Sequence, residues 1–134
     1  MTNIDLMTLV ARGEALSFFQ PIYHVDDPDR ISYEVLGRMM LDGKLLQPGQ
    51  FLPLLEDTPY LEQFDRDVLT RALRQVKWWK EDGQYVHIHV NASTEAVESN
   101  EYLRVFEDLI PRYGIDFEQV TVELLETCSF WERP

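Results

Sequence analysis

Ten residues, 31–40 (ISYEVLGRMM), constrain the fold more than any other stretch of this 134-residue chain. Alternation in an extended strand sends Ser32, Glu34, Leu36 and Arg38 to one face and Tyr33, Val35, Gly37 and Met39 to the other. A buried strand normally fills such positions with aliphatic side chains. A carboxylate and a guanidinium two pleats apart on one face therefore need a reason. If the face looks into a closed interior, Glu34 needs a cation and Arg38 needs an anion. Taken alone, the pair could also neutralise each other, or the face could be solvated.

The rest of the chain reads as alternating strands and helices. Residues 3–12 predict a short helix with Ile4, Leu6, Leu9 and Val10 apolar and Gly13 as its stop. Residues 17–25 predict a strand, with Pro21 at an edge or strand start where its missing N–H is tolerated. Residues 26–30 (DDPDR) are a turn by composition, so the first two strands are neighbours. A loop through Asp42-Gly43 covers 41–47, and Pro48 opens a helical stretch in which Phe51, Leu54 and Leu55 share a face. Thr58-Pro59 starts a longer helix whose apolar stripe is Leu61, Phe64, Val68, Ala72, Val76 and Trp79, with Gly83 beyond its end.

Residues 85–91 (YVHIHVN) alternate again and predict a third strand. Ser99 or Asn100 caps a helix with the stripe Leu103, Phe106, Ile110 and Tyr113, which Gly114 ends. Residues 119–126 (QVTVELLE) are the last strand. Helices between the later strands point to right-handed βαβ units and a parallel sheet, hence an α/β class and one unit without repeats or linkers.

Composition narrows the function classes. Twelve basic against twenty-four acidic residues give a net charge of −12, which argues against gripping a nucleic acid polymer through a basic surface. A small anionic ligand remains possible if metal ions or local arginines supply positive charge. No apolar run approaches the roughly 18 residues of a membrane span. The N-terminus shows no signal-peptide pattern, and Cys128 is the single cysteine, so a cytoplasmic location is expected. Cys128 has no His or basic cluster beside it in sequence, which speaks against a nucleophilic role.

Three predicted strands carry an oxygen-bearing side chain at or near their C-terminal ends: Glu34, Asn91 and Glu123. Ligands of α/β folds sit at those ends. Two carboxylates and an amide oxygen form a hard donor set, suited to Mg²⁺, Mn²⁺ or Ca²⁺ rather than Zn²⁺. Asn91 alone would pass for a turn residue, but Glu123 lies between Val122 and Leu124 in an apolar strand, where a carboxylate is costly. His87 and His89 share the strand face of Asn91 and are candidate additional ligands, but read rather as hydrogen-bonded core residues or the lining of a wet cavity.

Five motifs in order carry a family resemblance. They are Phe19-Gln20-Pro21-Ile22, Tyr33-Glu34-Val35-Leu36-Gly37-Arg38, Pro48-Gly49-Gln50-Phe51 with Pro53 and Glu56, Val90-Asn91-Ala92-Ser93, and Glu123-Leu124-Leu125-Glu126. The chain resembles the N-terminal half of an EAL domain, the bacterial cyclic di-GMP phosphodiesterase family. Val35 stands where the family signature has Ala, and Leu125 where its E-I-T-E strand has Thr. Glu14-Ala15-Leu16 spells the family name but precedes the first strand, so Glu34-Val35-Leu36 is the counterpart.

The resemblance implies a TIM-like (β/α) barrel, here its N-terminal half, truncated after about four strands. It implies a single partial domain over 1–134, with a short helix at 3–12 and the half-barrel over 17–126. It implies Glu34, Asn91 and Glu123 as ligands of Mg²⁺ or Mn²⁺, Gln20 and Arg38 as contacts to cyclic di-GMP, and Glu126 as a residue steadying a nearby loop. The reaction implied is metal-dependent hydrolysis of one phosphodiester of cyclic di-GMP to the linear dinucleotide. The alternative is a degenerate EAL-like protein acting through cyclic di-GMP binding or protein contact without catalysis.

These 134 residues contain no D-D-F-G run, and the family's later lysine, glutamate and glutamine have no counterpart among them. The chain by itself is therefore expected not to hydrolyse cyclic di-GMP. Half a barrel leaves an unpaired edge, with Val122, Leu124 and Leu125 meeting water. Either the chain belongs to a longer protein or two copies cover each other, and a homodimer is the expectation.

Overall fold

The computed structural model describes residues 3–125. Helix α1 (Asn3–Ala11) precedes strand β1 (Leu16–Ile22), which pairs antiparallel with β2 (Ile31–Leu41). A short strand β3 (Lys44–Leu46) folds back on the end of β2. Helices α2 (Pro48–Leu55) and α3 (Pro59–Glu81) lead to β4 (Val86–Ala92), parallel to β2. Helices α4 (Thr94–Val97) and α5 (Asn100–Tyr113) and a 3₁₀ turn (Phe117–Gln119) lead to β5 (Val120–Leu124), parallel to β4. The sheet order is β1-β2-β4-β5 with β3 off the path, so the first two strands are neighbours as expected, their pairing is antiparallel, and the expected parallel continuation follows. Among the described residues the sheet is open, and β1 and β5 each have one neighbour.

One face of the sheet packs on the helices. Val35, Met39, Val86, Ile88 and Val90 are buried there against Phe64, Val68, Leu69, Ala72 and Leu73 of α3. Tyr33 stacks on Trp79 with ring centroids 4.9 Å apart and planes 12° from parallel, while Trp78 stays exposed. Thr58 caps α3 through Tyr60 N, and Ser99 caps α5 through Glu101 N and Tyr102 N. Gly114 ends α5 in the left-handed region, at φ 65°.

Gly37 shows why β2 needs a glycine. A Cβ there would lie 2.9 Å from Phe64 Cζ and 3.1 Å from Val68 Cγ2. Gly37→Ala is expected to cost about 1–3 kcal/mol by overpacking, read as a lower midpoint in urea unfolding. An unchanged midpoint would mean that α3 does not press on β2 at this point.

Four expectations are corrected. Strand β1 stops at Ile22 rather than 25, because its pairing ends with Ile22 opposite Ser32, and Tyr23 and Val25 stand in solvent. Residues 44–46, read as loop, form β3. The buried residues of α5 are Tyr102, Leu109 and Ile110, whereas Leu103 is exposed. The last strand is Val120–Leu124, and Glu126 and Cys128 lie outside the described residues. No described helix is long and apolar enough to cross a membrane.

Candidate functional site

The face of the sheet away from the helices carries the polar side chains. Register places Gln20 opposite Glu34 and Glu34 opposite His89 in one row, and Asn91 opposite Glu123 in the next. Glu34 sits in the middle of β2 rather than at its end, because β2 runs on to pair with β3. Relative to β4, however, Glu34 is only one side-chain step below Asn91. Asn91 Nδ2 donates to Glu34 Oε1 at 3.3 Å, which leaves the Asn91 amide oxygen as its lone-pair donor. Glu34 and Asn91 are half-buried, and Glu123 is exposed.

Arg38 does not neutralise Glu34. Its Nη1 donates to the Gly37 carbonyl at 2.7 Å, and the ion pairs among the described residues do not include one between the two. Arg38 lines a cleft of about 260 Å³ at the ends of the strands, together with Asn91, Asp65, Phe51, Leu52 and Leu125. A guanidinium with one bonded nitrogen in such a cleft retains donors for an anion. Gln20 is exposed on β1, on the same face as its partner Glu34.

Three further groups join the polar face or lie behind it, and of these Asp65 has no role in the sequence reading. His89 Nδ1 donates to Glu123 Oε1 at 3.2 Å, which joins β4 to the edge strand on the polar face. His87 lies beside Arg30, 3.5 Å away. Burial first, and then the Arg30 charge, hold its imidazole below the ordinary range. Asp65 of α3 is buried, and its Oδ2 accepts from Ser93 N at 2.9 Å and Ser93 Oγ at 2.6 Å. Burial pushes its carboxyl up to about 6, and the Ser93 hydrogen bonds offset only part of that. An acidic residue inside an apolar helical stripe was the only sequence clue to Asp65. The burial of the neighbouring Tyr102 hydroxyl, near Asp65 and Glu62, raises its pKa as well.

The donors Glu34, Asn91 and Glu123 are all oxygen, which fits a hard divalent cation in kind. Among the described residues no three His, Cys, Asp or Glu side chains cluster as a metal cage, so any such site draws on the Asn91 amide oxygen.

Comparison with known proteins identifies the family and the fold. The family model of the EAL domain matches residues 4–133. The signaling protein YkoW of Bacillus subtilis is 24% identical over 112 residues, which are 83% of this chain and 14% of that protein. MucR of Pseudomonas aeruginosa, a bifunctional diguanylate cyclase/cyclic di-GMP phosphodiesterase, is 27% identical over 127 residues, 93% of this chain and 18% of that protein. The structure of the PaMucR phosphodiesterase in complex with c-di-GMP superposes with a TM-score of 0.79 at 27% identity, covering 92% of this chain and 51% of that one. The EAL domain of Xanthomonas citri FimX in complex with c-di-GMP has the same fold, at a TM-score of 0.81 and 19% identity over 96% of this chain and 50% of that one. The chain thus spans about half of these solved domains and less than a fifth of the two curated relatives. With the family model covering nearly all of its length, this chain belongs to the EAL domain family.

Proposed function

We propose that residues 1–134 are one partial domain, the N-terminal half of an EAL-type TIM-like barrel, and that they serve metal-dependent hydrolysis of cyclic di-GMP to the linear dinucleotide. The observation that carries this reading is the set of oxygen donors in two adjacent rows of the polar face, with Asn91 bonded to Glu34 and in register with Glu123, beside a cleft that holds Arg38. The relative MucR is named a bifunctional diguanylate cyclase/cyclic di-GMP phosphodiesterase, and β5, with one neighbour among the described residues, leaves an edge that further barrel strands would pair.

In this reading Glu34, Asn91 and Glu123 hold Mg²⁺ or Mn²⁺, and Arg38 and Gln20 bind the dinucleotide. A metal held there would supply charge against the scissile phosphate and lower the pKa of a water. Arg38 contributes a fork of donors to a phosphate oxygen pair. Glu34 accepts from the Asn91 amide nitrogen, which would leave the amide oxygen to serve as a ligand. Glu126, outside the described residues, would steady a nearby loop. These 134 residues hold no D-D-F-G run, so the chain alone binds without turnover.

Calorimetric titration of Mn²⁺ and then cyclic di-GMP into the purified chain tests this. Metal-dependent binding of the dinucleotide is the expected result. Glu34→Gln is expected to weaken Mn²⁺ binding at least about 10-fold, and Arg38→Ala to weaken dinucleotide binding by about 10- to 100-fold. Absence of binding by well-folded chain would leave protein contact as the function, and turnover by the chain alone would overturn the division of the site. Exposed Val122 and Leu124 on β5, with Leu125 just after it, support pairing of two copies. A sizing run is expected to show a homodimer, and a monomer at micromolar concentration would refute that part.

A further inference from the structure

Helix α3 carries two carboxylates one turn apart, and each holds a cap serine of the segment that follows Asn91. Asp65 Oδ2 accepts from both the N–H and the hydroxyl of Ser93, at 2.9 and 2.6 Å. The Ser93 hydroxyl oxygen accepts in turn from Ala96 N at 3.2 Å and so caps α4. Glu62 Oε1 accepts from Ser99 Oγ at 3.1 Å, and Ser99 caps α5. Arg66 Nε lies 3.2 Å from the same Glu62 oxygen, an ion pair without hydrogen-bond alignment.

A buried carboxylate costs stability unless it is well bonded. Asp65 is 5% exposed, and among the described residues no ion pair involves it. Its Oδ2 accepts twice from Ser93, two residues after Asn91. Val90 and Ala92, on either side of Asn91, are fully buried on the helix side, and the Ala92 carbonyl accepts from Leu125 N at 2.8 Å. The backbone is therefore held before, after and beside Asn91. Such restraint decides whether a short amide side chain keeps one rotamer.

We propose that Asp65 is a positioning residue for Asn91, acting through Ser93: it fixes the end of β4 so that the Asn91 amide stays bonded to Glu34 and its oxygen stays available to a divalent cation. The inference rests on reading Asn91 as a metal ligand, but the placement of the amide can be measured without metal.

The test uses the ¹⁵N-labelled 134-residue chain with Asp65→Ala, Ser93→Ala and Asp65→Asn. Val76→Ala, a buried residue at the far end of α3, controls for lost stability. In Asp65→Ala and Ser93→Ala the nuclear Overhauser contact from the Asn91 Nδ2 protons to Glu34 is expected to vanish. The order parameter of that group should fall below about 0.6. Mn²⁺ affinity should fall by about 10- to 100-fold. Asp65→Asn keeps an acceptor oxygen for both Ser93 bonds and is expected to retain the contact and most of the affinity. If Asp65→Ala does not fold, Ser93→Ala decides, because it removes only a hydroxyl. An Asn91 amide as ordered in both variants as in Val76→Ala overturns the proposal, as does equal loss in Val76→Ala. A wild-type chain that takes no Mn²⁺ refutes the metal reading, while the contact and order parameter still decide the positioning.

Discussion

Phe51→Ala is expected to lower stability by about 3–5 kcal/mol, and the melting temperature by roughly 10 °C or more. Phe51 is fully buried in α2, and its ring meets Phe64 edge-on, with centroids 5.1 Å apart. Alanine removes the transfer free energy of the ring and leaves a cavity that the neighbouring helices fill only in part. The same ring forms a wall of the cleft that holds Arg38 and Asn91. Loss of Phe51 therefore also loosens the cleft, so any dinucleotide affinity should drop together with stability. Phe51→Leu keeps part of the volume and should lose less of both. Urea unfolding followed by fluorescence or circular dichroism checks the first part, and calorimetry the second. A loss below about 1 kcal/mol would mean that α2 is not docked on α3 through this ring pair.

Asp65→Asn is expected to remove a large part of the stability change between pH 4 and pH 7. In the folded chain burial pushes the Asp65 carboxyl up to about 6, from an ordinary value of 3.8. The folded state thus binds its proton more tightly than the unfolded state does. Stability then falls as pH rises from about 4 to about 6, and the penalty is complete above that. Its full size is roughly 3 kcal/mol, set by the difference between those two values. Asparagine stays neutral at every pH and can accept both Ser93 hydrogen bonds through one oxygen. The variant should be more stable than wild type at pH 8 and comparable to it near pH 4. The remaining acidic residues are common to both proteins and largely cancel in the difference. Urea midpoints at pH 4, 6 and 8 for the two proteins measure it. A difference that does not change with pH would show that Asp65 is not held in the buried, desolvated place described.

Much of the fold was legible because its signals are local and periodic. The alternation in 31–40 puts Tyr33, Val35, Gly37 and Met39 on the face opposite Glu34 and Arg38, and in the structure that face packs on the helices. The stripe Leu61, Phe64, Val68, Ala72 and Val76 is the buried face of α3. Thr58 and Ser99 are caps because their hydroxyls can accept from the first free N–H groups. Strand β3 was missed because three residues carry no periodicity, and only the edge of β2 makes them a strand. The stripe of α5 was rotated to include Leu103, because steps of three and four fit both Leu103 and Tyr102, and packing on α3 selects Tyr102.

The polar site divides along the same line. Chain order and the period of two put Glu34, Asn91 and Glu123 on equivalent faces of three strands. Sheet order and register, which are long-range properties, decided that the Asn91 amide meets Glu34, that His89 meets Glu123 and that Arg38 bonds the Gly37 carbonyl. Asp65 and Ser93 are 28 residues apart, and no local pattern could pair them. The sequence by itself determined which residues face which way, because side-chain direction follows from backbone period. The tertiary structure alone decided which of them touch, because contact depends on how helices and strands distant in sequence pack together.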